Sequence, residues 1–259
     1  MAAPARGQST VNALAVSSLT HDFGGLRALD DVSLTVGVGE RRVILGPNGA
    51  GKTTFFNVVT GLFAPMSGTI RLFGDDVTAL APYQRARLGL GRTFQVSNIF
   101  PLLSVRENVR LAAEAQLGGA LRLWRRAEGV REALERADWA LARVGLGRRA
   151  RAAAGSLAHG DKRRLELAMV LAGDPRVILL DEPMAGVSVE NVHELVELIR
   201  TVHAEEGKTV LMVEHHIEVV TGLADRIAVM HHGRLLACDT PDAIMRDATV
   251  QQAYVGETL

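Results

Sequence analysis

The residues best suited to do chemistry are Gly46-Pro47-Asn48-Gly49-Ala50-Gly51-Lys52-Thr53-Thr54. They fit G-x-x-x-x-G-K-[ST], a phosphate-binding P-loop. Gly46, Gly49 and Gly51 let the backbone turn tightly and bring N–H groups close to phosphate oxygens. A helix starting at about Gly51 turns its positive end toward the same oxygens. Lys52 is spaced to reach the β- and γ-phosphates, and the Thr53 hydroxyl to hold Mg²⁺.

The elements that position this loop follow from hydrophobic pattern. Val43-Ile44-Leu45 reads as a buried strand entering the loop, and the helix after it runs to about Thr60 with Phe55, Val58, Val59 and Leu62 on its apolar side, ended by Gly61. Residues 14–19, 32–36 and 69–73 read as strands, the latter two alternating with period two, and 83–88 as a short helix before a short strand at 90–94. After Pro101 the composition turns rich in Ala, Leu, Arg and Glu, which predicts a helical insert broken at Gly118-Gly119, with Val130, Leu134, Ala137, Leu141 and Val144 on one face. A helix over 162–171 precedes the apolar strand 177–181, a run suited to the middle of a parallel sheet. A long amphipathic helix over 189–202, a buried strand over 209–213 and a hairpin around His231-His232-Gly233 follow, then a helix over 242–245 and a short tail. Strands alternating with helices around a P-loop imply an α/β fold with a mostly parallel sheet.

Composition narrows the function classes. The chain has 259 residues with 29 basic and 29 acidic ones, so no global charge draws it to nucleic acid or an anionic surface. One cysteine, Cys238, excludes an internal disulfide and a multi-cysteine metal site, and its apolar neighbours predict a core residue. No apolar run of about 18 residues exists to cross a bilayer. Residues 1–10 lack an apolar signal core and read as part of a disordered tail over 1–12 of a cytoplasmic protein. The arginines of the insert, Arg131, Arg136 and Arg143 among them, are interleaved with Glu132, Glu135 and Asp138 and lack an aromatic ladder, which favours a solvated helix face over an RNA surface.

Together the motifs resemble the nucleotide-binding subunit of an ABC transporter, of the branched-chain amino acid importer type, with urea importers close by. The resemblance covers nearly the whole chain. It implies a P-loop ATPase core with an antiparallel β subdomain and an inserted helical subdomain at about 98–156, all in one ATP-binding domain over 13–259. Asp181-Glu182-Pro183 resembles the Walker B motif: Asp181 holds Mg²⁺, and Glu182 is the general base for the attacking water. Gln95, within Gly91-Arg92-Thr93-Phe94-Gln95, matches a glutamine that contacts Mg²⁺ and the water. His215 matches the histidine at the γ-phosphate, with His216 as the competing assignment. Phe23 resembles the aromatic that stacks on adenine.

Leu157-Ala158-His159-Gly160-Asp161 occupies the family signature, usually Leu-Ser-Gly-Gly-Gln. Ala158, His159 and Asp161 depart from it, and Asp161 puts a carboxylate near ATP. Ser188 stands where the D-loop usually has Asp. The resemblance further implies ATP and Mg²⁺, a second cassette facing the first head to tail, identical or related, and a groove presented to the cytoplasmic helices of a membrane permease. It implies a peripheral place on the cytoplasmic face of the cell membrane, an indirect link to an extracellular or periplasmic solute-binding protein, and no nucleic acid. A soluble ABC ATPase acting on ribosomes or DNA is the alternative from another class; such chains usually carry two cassettes or a long coiled-coil insert, and this one has neither.

Overall fold

The computed structural model describes residues 12–93, 99–117, 126–215 and 217–255. The expected N-terminal tail, the break at Gly118-Gly119, Phe94, Gln95 and His216 lie outside the described residues or, for residue 12, begin the first strand.

Two sheets share the work. The first is four-stranded and antiparallel, in the order β2-β1-β4-β5, from β1 (Asn12–Phe23), β2 (Leu26–Gly37), β4 (Ser67–Leu72) and β5 (Asp75–Asp76). The second is six-stranded, in the order β10-β9-β3-β8-β7-β6, from β3 (Arg41–Leu45), β6 (Leu90–Arg92), β7 (Val177–Asp181), β8 (Thr209–Val213), β9 (Arg226–His231) and β10 (Arg234–Asp239). All its pairs are parallel except β10–β9. Every residue of β7 and β8 is buried, as their unbroken apolar runs require of central parallel strands.

The P-loop helix α1 (Lys52–Thr60) packs Phe55, Phe56, Val58 and Val59, all fully buried, into a core shared with the antiparallel sheet. Its C-cap is Gly61 in the left-handed region, φ 82°, so Leu62 leaves the helix and faces solvent rather than the apolar side expected of it. The helical lobe pairs α3 (Val105–Leu117) with α4 (Arg126–Arg143), and both pack on α5 (His159–Leu171). On α4 the buried face is Ala133, Ala137, Ala140 and Leu141, continued by Val144 just after its end, whereas Val130 and Leu134 are half-buried. Small alanines at the seam let the helices approach closely. The remaining helices are α2 (Pro82–Arg87), α6 (Val189–Glu206), α7 (Ile217–Leu223), α8 (Pro241–Arg246) and α9 (Ala248–Val255), the last standing where a short tail was expected.

β1 and β2 run to 12 residues each, about twice the stretches 14–19 and 32–36 read as strands in the sequence. The reason is bulging. Ser18 and Asp31 have φ of 49° and 54°, and the register shifts between Val16 and Leu19, so strict alternation is lost while the strands continue.

Candidate nucleotide site

Strand register brings the candidate residues to one sheet edge. Ile44, next to last in β3, and Asp181, last in β7, both pair with Val213, last in β8, which lies between them, so the three strands end within one residue of one another. From that edge the P-loop leaves β3, Glu182 leaves β7 and Glu214-His215 leave β8. Backbone bonds tie the exits together: Glu182 N–H donates to the Val213 carbonyl at 3.0 Å and Glu214 N–H to the Ile44 carbonyl at 3.3 Å.

The loop can take this path only with glycine. At Gly51, φ is +96° and a Cβ would stand 2.5 Å from the Ala28 carbonyl oxygen. At Gly46 a Cβ would stand 2.3 Å from the Met230 carbonyl oxygen. Gly51 is the N-cap of α1 and provides no side-chain hydrogen bond, so the first-turn amides of Lys52, Thr53 and Thr54 find no partner within the helix. Asn48, Gly49 and Thr53 are exposed while Ala50 is buried, so the loop opens toward solvent on the side where α1 begins. Lys52 folds over this loop, its Nζ donating to the carbonyls of Gly46 at 2.5 Å and Pro47 at 2.7 Å.

Asp181 is 1% exposed. Its Oδ2 accepts from Arg92 Nη2 at 2.7 Å, and its backbone N–H donates to Thr93 Oγ1 at 3.3 Å. Its Oδ1 is buried and accepts no hydrogen bond among the described residues. A buried carboxylate oxygen without a donor is a costly arrangement, and a cation satisfies it. The residues present therefore fit Mg²⁺: a hard oxygen at Asp181 and the accessible Thr53 hydroxyl are its ordinary ligands. Glu182 sits half-buried with φ of 46°, a backbone conformation uncommon outside glycine that costs about 1–3 kcal/mol and concentrates at functional sites.

Phe23, 44% exposed, ends β1 with its ring edge-on to His21 at 4.7 Å and Phe63 at 5.3 Å. The signature residues belong to another part of the chain. Leu157 is buried, Ala158 caps α5, and His159, Gly160 and Asp161 form its first turn. The His159 ring packs against Gly186, where a Cβ would come within 3.1 Å of it, so signature and D-loop touch. Asp161 is not an unbalanced charge: it pairs with Arg149 of the 3₁₀ turn Gly147–Arg149 at 2.9 Å.

Comparison with known proteins fits this arrangement. The ABC transporter family model matches residues 29–185. The chain belongs to the ABC transporter family. The cassette is 42% identical to the high-affinity branched-chain amino acid transport ATP-binding protein LivG of Salmonella typhimurium over 94% of its own length and 98% of that protein's. It is 40% identical to the corresponding protein BraF of Pseudomonas aeruginosa over the same 94% and 98%. The crystal structure of a nucleotide-free ATP-binding cassette from an ABC transporter superposes with a TM-score of 0.84 at 28% identity, covering 95% of this cassette and all of that one. The cassette thus binds and hydrolyses ATP as a subunit of a transporter.

Two residues at the site escaped the sequence reading. Arg92 lies in the run quoted for Gln95, yet its partner is 89 positions away, and only the β6–β7 register reveals the pair. Glu214 is fully buried; its Oε1 accepts the Met184 N–H at 3.0 Å and its Oε2 the His215 N–H at 3.2 Å. It clamps the loop after Glu182 to the segment bearing His215. An acid between an unbroken apolar strand and a histidine was the available signal.

Proposed function

We propose that the cassette powers uptake of branched-chain or other amino acids through a membrane permease, seated peripherally on the cytoplasmic face of the membrane. The ends of β3, β7 and β8 carry this reading, because they bring the P-loop, Asp181, Glu182 and His215 to one edge of the sheet. The first-turn amides of α1 and Lys52 would bind the triphosphate through charge-assisted bonds of roughly 1.5–3 kcal/mol each. Thr53 and Asp181 would hold Mg²⁺, with Gln95 reaching the same ion. Bound there, the ion neutralises charge developing on the β- and γ-phosphate oxygens.

Glu182 would orient a water and accept its proton as oxygen attacks the γ-phosphorus; the bond to the β-phosphate oxygen breaks, leaving ADP and phosphate. His215 would hold the γ-phosphate, and Phe23, buttressed by His21 and Phe63, would stack on adenine. Residues 157–161 would meet the nucleotide of a second cassette, so that hydrolysis removes the bridging phosphate and reopens the pair.

A groove of about 390 Å³ between α2, β6, α3 and α5 supports the permease reading. Its walls include Leu62, Tyr83, Ala112 and Met169, and Phe100 and Leu102 are exposed nearby along the chain. Exposed apolar surface of this kind marks a protein partner. On α4, Arg131 and Arg136 pair with Glu135 and Glu132, which supports a solvated face and no nucleic acid. No helix among the described residues is long and apolar enough to cross a membrane, so passage of the solute falls to other subunits.

Labelled leucine and urea uptake, measured in the source cell with the gene deleted and then restored as wild type or Glu182→Gln, tests the proposal. Leucine uptake should be lost on deletion and recovered only by the wild type. Unchanged leucine uptake, or rescue by Glu182→Gln, would refute it, and loss of urea uptake alone would move the cassette to urea import.

A further inference from the structure

We propose that Arg92 is a positioning residue that keeps Asp181 from holding a divalent cation until the triphosphate is on the P-loop. This rests on the reading of Asp181 as the metal ligand. The Arg92 guanidinium is fixed on several sides. Nη2 donates to Asp181 Oδ2 at 2.7 Å, and Nη1 donates to Asn57 Oδ1 at 2.7 Å and Thr60 Oγ1 at 3.2 Å. Its central carbon lies 5.6 Å from the centre of the Phe56 ring. Asn57, Thr60 and Phe56 all belong to α1, so the P-loop helix itself holds the arginine against the acid. Both side chains of the pair are buried, at 6% and 1% exposure.

A buried pair is screened little by solvent or salt. A cation approaching Oδ1 therefore meets a carboxylate already neutralised by a fixed positive charge a few ångströms away, and the three anchors on α1 deny that charge an easy retreat. The phosphates of ATP supply the missing negative charge and further oxygen ligands. Metal and nucleotide are thereby made to arrive together, and a metal-free Asp181 is spared the cost of an uncompensated buried charge. Arg92 also lines the groove proposed for the permease, so the same guanidinium spans from the partner-facing wall to the metal ligand.

The test is Mn²⁺ binding to the full chain, read from the electron paramagnetic resonance signal of free Mn²⁺, with and without a non-hydrolysable ATP analogue, counting with the analogue only the binding in excess of that by the analogue without protein. Wild type should bind Mn²⁺ weakly alone and tightly with the analogue. Arg92→Met should strengthen nucleotide-free Mn²⁺ binding by about tenfold or more, since a full neighbouring charge is removed from a poorly screened site. Arg92→Lys keeps the charge and should stay within about threefold of wild type. Asp181→Asn should cancel the gain. Should Arg92→Met not fold, neutral Arg92→Gln, whose amide can still reach Asn57 or Thr60, carries the same expectation. Equal or weaker Mn²⁺ binding in the neutral variants would overturn the proposal. If Asp181→Asn leaves the analogue-dependent binding of wild type intact, the metal-ligand assignment itself falls, and this proposal with it.

Discussion

Arg85 offers the sharpest test of how the P-loop helix is held. It is 1% exposed, and no ion pair joins it to an acid among the described residues. Its guanidinium donates instead to backbone carbonyls: Leu80 at 2.9 Å, Val58 at 2.8 Å, Val59 at 2.7 Å and Thr78 at 2.8 Å. Val58 and Val59 lie in the last turn of α1, where a cation complements the helix dipole; Val58 also accepts the Gly61 N–H, and Arg85 is the donor described for Val59. Burial lowers the guanidinium pKa, a sign of the desolvation this arrangement costs. Gly61 makes room, since a Cβ there would lie 2.9 Å from Arg85 Nε.

Arg85→Met keeps the stem and deletes the donors. Three carbonyls, those of Val59, Leu80 and Thr78, lose the donor described for them, while Val58 keeps the Gly61 N–H at 3.1 Å. Each costs about 1–3 kcal/mol if unsatisfied, and relief of the buried charge returns part of that sum. The expected net loss is about 3–5 kcal/mol, which for a domain of this size lowers Tm by about 10 °C. Thermal and urea unfolding followed by circular dichroism measure it, alongside nucleotide affinity well below the transition, which should fall because α1 carries Lys52 and Thr53. A loss below about 1 kcal/mol would refute the reasoning, because it would mean that water or relaxed backbone satisfies those carbonyls without Arg85.

Two other perturbations separate causes that look alike. Gly51→Ala meets both a positive φ and the Ala28 carbonyl, whereas Gly49→Ala meets a positive φ of 80° in open space. In a fluorescent-nucleotide titration Gly51→Ala should therefore lose at least about tenfold in affinity and Gly49→Ala markedly less, its cost being only the roughly 1–2 kcal/mol of left-handed backbone. Asp225→Asn should show a pH-dependent cost. Burial alone would raise the Asp225 pKa, but hydrogen bonds from the Arg41 side chain and backbone outweigh it and hold the pKa below its ordinary value. A depressed acid stabilises the fold above its unfolded pKa of about 3.9 and stops doing so as pH falls through the folded value. The difference between Asp225→Asn and wild type in urea unfolding should thus be full at neutral pH, under about 1 kcal/mol for so exposed a pair, and shrink away as pH falls through the depressed folded pKa.

Legibility in the sequence followed locality. The P-loop, the apolar run before Asp181 and the helix over 189–202 were readable because each depends on neighbours in the chain. Residues that act across the sheet were not. Arg92 and Arg85 are unremarkable in their own segments, and their roles arise from α1 and β7, which come together only in the fold. The bulges at Ser18 and Asp31 hid half of each long strand, because a residue inserted into a ladder erases the alternation by which strands are recognised. Leu62 misled for the opposite reason: its spacing suits the α1 face, but Gly61 ends the helix first.

The departures in the signature find their explanation in charge. An aspartate at position 161 in place of glutamine would, on the proposed reading, face the triphosphate of a second cassette with a like charge. In the fold that carboxylate already has a partner in Arg149, which projects from the turn closing the helical lobe and is 56% exposed. The pairing repeats at Asp181, whose partner Arg92 is buried. In both places an acid that the proposed reading sets beside the nucleotide is matched by an arginine from a different element. On the proposed reading the attraction for ATP falls to Lys52, whose Nζ donates to the Gly46 and Pro47 carbonyls, and to the first turn of α1. A surface pair such as Arg149–Asp161 adds little stability. Its worth on this reading is electrostatic, in allowing Gly160 and the amides behind it to meet a phosphate as the usual signature does.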